Sequence, residues 1–517
     1  AFSYEWLERA KGADRKYAGW PWYPALVDKY LSAGAHLLPV MGGSISFVPG
    51  RVGPDAAWRG EITDILRAFP QLKTWELSNE YDGQWTEPGR KEQATGWINF
   101  RAYHKAYGAV VAAVGGGELT AVENGRAGIY PELVDACVRG GDYADIQVVN
   151  CHHYCGVDAP ELNIANQNTG GDQADPQLFH DRLRALVEAA HADGKQRPVW
   201  LTEFGWDTRV GKVVTPMQQA AYLQRGYLVA FHAGMDKAFW YWAIDGEQAK
   251  TFFDGCGLLD VHRQPKLGFA ALAGIAGMMP NPHVLGTLEA GPGSFGFLVR
   301  QGEQRIAALW NLEREDGPEI EITSGRIVDF LGNPQPGRRA RLGLAPVYVV
   351  GLDPNDRFAR QGLWDLASPW LVHATAGDTV TMQVVTNGDG EHQVSSSVAL
   401  EMPVGWSVHP LAPVVVKPAD KARFELTVTI PATAAPGEQV LTVVASEGGK
   451  ALKRMPVRVV VRAPLSIAAK RLSGEPGPSN LLVTVVNHAH RALAGSLHVQ
   501  VPSGWQAPAL DVPVTSL

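Results

Sequence analysis

Apolar positions along the first 279 residues follow two alternating rhythms. Short β-prone runs, FSYEW (2–6), HLLPVM (36–41), LKTWELSN (72–79), ELTAVE (118–123), DIQVVN (145–150), PVWLTE (198–203) and KAFWYWAI (237–244), are separated by segments with apolar residues at helical spacing. YPALVDKYLSAG, AAWRGEITDILRAF and DPQLFHDRLRALVEAAHADGK are the plainest of these predicted helices. Strands alternating with helices build βα units on a parallel sheet. Seven such strands within about 245 residues match the rhythm of a (β/α)8 (TIM) barrel, and place its first βα unit upstream of Ala1. An open doubly wound sheet is the competing α/β architecture. It calls for a glycine-rich phosphate loop after an early strand, and none is found.

After LGFAALAGIAGMM (267–279) the pattern changes to short alternating strands and turns, which predicts all-β domains. SFGFLVR, RIAALWNLE, RIVDFLGN and APVYVVGL fit a small β-sandwich over 280–353, expected to pack on the barrel because no linker separates the two. A polar stretch, DPNDRFARQG (353–362), is expected to act as a linker. Beyond it EMPVGWSVHPL around Trp406 is repeated as QVPSGWQAPAL around Trp505, 99 residues later. That period suits immunoglobulin-like sandwiches at 364–462 and 463–517, the second a partial copy. Both are expected to touch the barrel little.

Composition narrows the partners. The formal charge of −7 over 517 residues is spread without runs of like charge, which argues against nucleic acid. No apolar run is long enough for a membrane span. The four cysteines, Cys137, Cys151, Cys155 and Cys256, are too few for a disulfide scaffold and lack zinc-finger spacing. No cofactor motif is found, and oligomeric state is not legible. The 16 tryptophans change the picture more, because many lie near predicted strand ends where sugar rings could stack.

Two strands end in a carboxylate. LKTWELSNE closes on Asn79 and Glu80, and PVWLTE closes on Glu203. In a barrel all strand C-termini face one mouth, where active sites are built. Two glutamates there have the chemistry to cleave a glycosidic bond, one protonating the leaving oxygen and one attacking or activating water. Glu80 as a plain helix-start residue is the bland alternative. Glu76, four residues earlier on the same strand face, and Glu123 are rival carboxylates. NCHHYCG (150–156) puts His152 and Tyr154 on one face and His153 on the other. His152 could instead be a satisfied core residue. A metal reading of His152, His153, Cys151 and Cys155 is weak, since neighbours on a strand point oppositely and Cys-x3-Cys has no second cluster.

On these residues the first 279 positions resemble the clan A glycoside hydrolases, with Asn-Glu after strand four and Glu after strand seven. TEFGW, NCHHY and FWYWAID are most similar to family 39 and its neighbours, with family 5 next. The resemblance implies a retaining glycosidase with Glu80 as acid/base and Glu203 as nucleophile. It also implies that Asn79 holds the sugar 2-hydroxyl and that Tyr154, of a His-x-Tyr pair with His152, bonds the nucleophile. Trp242 is expected to floor the subsite of the cleaved sugar, with Trp240 filling the barrel. Trp206, Trp20 and Trp22 are candidates for outer subsites. Tyr81 stands where many members have Pro. The C-terminal repeats resemble the immunoglobulin-like modules associated with α-galactosidases, which implies a secreted or extracytoplasmic bacterial enzyme with a carbohydrate substrate. The alternatives are a catalytically silent carbohydrate-binding or surface-scaffold barrel, and a metal-dependent barrel hydrolase.

Overall fold

The computed structural model describes residues 22–41, 53–80, 93–123, 125–165, 177–387, 394–409, 415–416, 421–447, 449–471, 481–489, 492–498 and 511–514. The expected strand at 2–6, Trp20, Tyr81 and Trp505 lie outside the described residues, as does the side chain of Trp22.

Residues 22–279 form a parallel βα region. Its elements are α1 (Trp22–Ser32), α2 (Ala56–Ala68), β1 (Thr74–Glu76), α3 (Gln93–Gly115), β2 (Thr120–Val122), α4 (Pro131–Arg139), β3 (Val149–His152), α5 (Phe179–Ala190), β4 (Val199–Phe204), α6 (Pro216–His232), β5 (Lys237–Trp240) and α7 (Leu267–Met278). Helix α2 shows why the periodicity was readable. Asp55 caps it by accepting the Trp58 N–H at 2.8 Å, and Trp58, Ile62, Ile65 and Leu66 bury one face. Helix α6 begins with a capping box between Thr215 and Gln218 and a Pro in its first turn.

The strands pair in parallel and in chain order. Val40 bridges Glu76, β1 pairs β2, Val122 bridges Val148, and β3, β4 and β5 follow. All their C-terminal ends therefore point the same way. Strand β3 is buried at every position, as expected of a parallel strand covered on both sides.

The next unit is a five-stranded antiparallel sheet. It is built from β6 (His283–Leu288), β7 (Ser294–Gln301), β8 (Gln304–Asn311), β10 (Arg326–Val328) and β12 (Val347–Val350), and the pair β9 (Glu319–Glu321) and β11 (Arg339–Arg341) accompanies it. It docks on α6 and α7. Gln224 donates to Ala271 O at 2.7 Å and Phe330 O at 2.6 Å, and accepts from the Tyr348 hydroxyl at 3.0 Å. Gly274 permits the contact, since a Cβ there would lie 2.7 Å from Phe330 O. Core residues of the two units, such as Tyr222, Phe297 and Trp310, belong to one apolar cluster.

The polar stretch at 353–362 is not a free linker. It forms a short helix, α8 (Arg357–Gln361), capped by Asp356, with Phe358 and Ala359 buried. Beyond it β13 (Trp364–Ser368), β15 (Thr379–Asn387), β17 (Ser407–His409) and β19 (Lys421–Thr429) form one sheet. A second contains β14 (Leu371–Thr375), β16 (Val394–Glu401), β18 (Val415–Val416), β20 (Gly437–Glu447) and β21 (Lys450–Arg462), and the two sheets share an apolar core. This module does not stand apart from the βα region, contrary to the expectation from its sequence. His232 on α6 hydrogen-bonds Asp365 at 2.8 Å, the Trp370 ring stacks on His180 at 3.7 Å, and the Asp181 carboxylate accepts the Trp370 and Leu371 N–H groups. The buried apolar side of α8 draws the module in where a solvated spacer would have held it off. Past it, the described residues form two-stranded pairs of β22 (Leu465–Arg471) with β23 (Leu481–Asn487) and of β24 (Gly495–His498) with β25 (Asp511–Val514).

Candidate active site

Strand β1 ends at Glu76, and the chain runs on to Asn79, which bridges Gly125 in parallel. Glu80 donates its N–H to Gly125 O at 2.6 Å and adopts a left-handed backbone, φ 54°. A non-glycine residue there is uncommon and recurs at functional positions. Its side chain is one-third exposed, at 33%. Glu203 comes from β4 and is 16% exposed. One oxygen of each carboxylate and a ring nitrogen of His152 lie within 4.8 Å of one another.

His152, at the end of β3, is fully buried among carboxylates. Its Nδ1 is 2.9 Å from Glu80 Oε1 and 3.6 Å from Glu203 Oε2, and its Nε2 is 3.9 Å from Glu76 Oε1. Burial opposes its charge, but Glu203, then Glu76 and Glu80, outweigh burial and raise its pKa to about 10. These carboxylates favour the charged form of the ring. Tyr154 donates its hydroxyl to Glu203 Oε2 at 2.7 Å. Burial raises the Glu203 pKa, opposed by the charge of His152 and by the Tyr154 hydrogen bond.

His152 and Tyr154 thus fall on the same side as the two glutamates, as their parity implied. His153 points the other way, bonded to Asn163 Oδ1 at 2.8 Å and stacked on Phe179. Glu123 is structural. It pairs with Arg126 at 3.1 Å inside the protein, accepts the Tyr143 hydroxyl and lies 3.3 Å from the Asn150 N–H. Asn79 is exposed beside Glu80.

The aromatic candidates separate. Trp242 is 37% exposed and stacks on Tyr241, with ring centroids 5.2 Å apart. Trp240 donates its indole N–H to Cys256 O at 2.8 Å, a packing role. Trp206 is a correction. It is 1% exposed, enclosed by Phe204, Tyr222 and Trp240, and its indole donates to Asp158 O. It offers no free face for stacking on a sugar, because the chain turns inward directly after β4.

Several residues of the site carried no signal that sequence reasoning used. A Cβ on Gly125 would lie 2.2 Å from His152 Nε2 and 2.4 Å from Glu76 Oε1, so only glycine lets these groups meet. Phe252 and Phe253 set their edges against the Tyr154 ring at 5.6 and 5.1 Å, with Tyr241 at 6.1 Å. The consecutive phenylalanines after the last strand were the available clue. The loop behind them is pinned by Lys266, which pairs with Asp245 at 3.0 Å and donates to Gly255 O.

Among the described residues, Glu80, His152 and Glu203 are the group of donors close enough to share a metal ion. A metal ion there would have to displace the proton that the carboxylates favour on His152. The cysteines are buried free thiols outside that group.

Residues 374–447 match the model of the NPCBM-associated, NEW3 domain of alpha-galactosidase. No curated protein matches the chain significantly. Among solved structures, a family 39 glycoside hydrolase from the gut symbiont Bacteroides cellulosilyticus WH2 aligns with a TM-score of 0.55 at 21% identity, over 68% of this chain and 74% of that one. Over that span the two share a fold. A glucosidase from Croceicoccus marinus aligns at 12% identity and TM-score 0.39, over 81% and 82% of the two chains. A family 5 glycoside hydrolase, PbGH5A from Prevotella bryantii B14, aligns at 15% and 0.33, over 47% and 75%. The structure that shares this fold is a glycoside hydrolase, and residues 374–447 carry a NEW3-like module. Among the described residues no helix is long and apolar enough to cross a membrane.

Proposed function

We propose that the protein is a retaining glycoside hydrolase of the clan A type, with a (β/α)8 barrel as its catalytic domain, acting on a carbohydrate outside the cytoplasm. The observation that carries this reading is the spacing of Glu80 and Glu203, whose nearest oxygens lie within 4.8 Å of one another. Retaining enzymes hold their carboxyls about 5–5.5 Å apart, whereas inverting ones leave about 6.5–9.5 Å for a water. The likeness to a family 39 enzyme supports the barrel, and the NEW3-like module supports the extracytoplasmic location.

In the first step a Glu203 oxygen attacks the anomeric carbon. The bond to the leaving oxygen breaks, and that oxygen takes the proton of Glu80. A glycosyl ester on Glu203 results. Glu80, now a carboxylate, takes a proton from water as the water oxygen attacks the anomeric carbon and releases Glu203. Tyr154 and the charge of His152 keep Glu203 ionised despite its burial. Asn79 holds the sugar 2-hydroxyl, and Trp242 floors the ring. Forming the ester removes one negative charge beside Glu80 as its role reverses.

The test is a panel of aryl glycosides and polysaccharides, with the anomeric configuration of the first product read by NMR before mutarotation. Retained configuration is expected. Inverted product would exclude double displacement, and binding without turnover across the panel would leave the silent-barrel reading.

A further inference from the structure

Resting on that reading of the site, we infer that Glu76 is a positioning residue: a buried counter-charge that holds His152 as a cation and offsets its pull on Glu80. Glu76 closes β1 and Glu80 follows four positions later, and their carboxylates lie 3.9 and 2.9 Å from the His152 ring nitrogens. It is 1% exposed, and its Oε1 accepts no hydrogen bond. A buried carboxylate with a bare oxygen is costly and calls for an explanation. The nearest cation is His152, whose Nε2 lies 3.9 Å away, an ion-pair distance too long for a hydrogen bond. Gly125 leaves room for this approach, since any side chain there would collide with both groups.

The ionisable groups around the imidazole are Glu76 and Glu80 from the β1 segment, Glu203 from β4 and Tyr154 beside it. Tyr107 on α3 also feels the charge of Glu76, but its hydroxyl is spent on Trp75 O at 2.6 Å. A His152 cation with no counter-charge behind it would be an unbalanced charge 2.9 Å from the acid of the first step. With Glu76 ionised behind the ring, the His152–Glu76 pair is neutral overall. Glu80 then answers mainly to Glu203, whose charge is present before the glycosyl ester forms and absent afterwards. Glu76 touches neither substrate nor scissile bond in this account.

The variant E76Q keeps the shape and removes the charge. In the pH profile of kcat/KM on an aryl glycoside, the alkaline limb is expected to move to lower pH. A purely structural role would depress activity at every pH and leave the limb in place. Independently of any activity, the His152 ring is titrated by NMR in the full chain. Its midpoint, expected near 10 in the parent, is expected to fall by about one unit or more in E76Q. In E76D the carboxylate is withdrawn by one methylene, and limb and midpoint are expected at intermediate values. That variant carries the same test if E76Q does not fold. An unmoved His152 midpoint in the folded variants overturns the inference. A moved midpoint in a protein that cleaves no glycoside upholds the ion pair and overturns the glycosidase reading instead.

Discussion

Two buried histidine–carboxylate networks lie among the described residues, and they differ in one respect. At the junction of the βα region with the NEW3-like module, His180, Asp181, His232 and Asp365 are all hydrogen-bonded. His180 bonds Asp181 at 3.0 Å and His232 at 2.8 Å, and His232 reaches Asp365 at 2.8 Å. Asp365 lies 3.2 Å from the Thr287 N–H as well, so three units meet at one carboxylate. At the strand C-termini, by contrast, Glu76 keeps a bare oxygen, while Glu80 and Glu203 remain partly open to solvent. A closed network of this kind holds parts together. An open one keeps hydrogen-bonding capacity in reserve, and that reserve is what a substrate can use.

The sharpest way to break the comparison is to remove a member of the open network. Glu203→Ala is expected to lower turnover by about 1,000-fold or more, with little change in the thermal midpoint, and added azide should yield a glycosyl azide of inverted configuration. Unfolding of this variant would place Glu203 in the structural class. Gly125→Ala forces His152 and Glu76 apart, and kcat is expected to fall by about 100-fold in a chain whose circular dichroism is unchanged. Near-normal kcat would mean that the close approach is not needed.

Removing a member of the closed network should do the reverse. Asp365→Ala leaves His232 and the buried Lys453 without their carboxylate and is expected to destabilise the protein by about 3–5 kcal/mol. Activity on a small soluble glycoside well below the melting point should stay close to normal. A selective loss of that activity would mean that the module reaches into the site.

A further expected effect is on pH. The folded-state pKa of His152, about 10, lies above its ordinary value of 6.5. The stability it contributes is therefore fully present below pH 6.5 and is lost as pH rises through 10. Denaturant titrations at pH 6 and pH 10 should show this decline in the parent protein and a shallower one in His152→Gln. Parallel declines would show that the ring is not held as a cation.

What the sequence revealed and what it hid divide along the same line. Glu80, Glu203, His152 and Tyr154 could be picked out because strand parity sends alternate side chains to one side and parallel strands end together. The role of Gly125 could not, since a glycine in ENGRAG reads equally as a turn until its neighbours in space are known. Trp206 misled because nearness along the chain to Glu203 is not nearness in space. The junction was invisible for a similar reason. Asp181 meets Trp370 across 189 positions, and in the sequence it is one more acid at the start of a helix. The predicted helices at 23–34 and 56–69 held because their apolar spacing is local, whereas the polar run at 353–362 hid a helix that buries Phe358.

The central claim is that Glu203 becomes covalently glycosylated. It is tested most directly by incubating the protein with an activated 2-deoxy-2-fluoro glycoside of a sugar it cleaves and mapping the labelled peptide by mass spectrometry. The account predicts one sugar per chain, on the peptide containing Glu203, with no label when Glu203 is replaced by Gln. A label on Glu80, or steady turnover of the fluorinated substrate to an inverted product with no adduct, would contradict it.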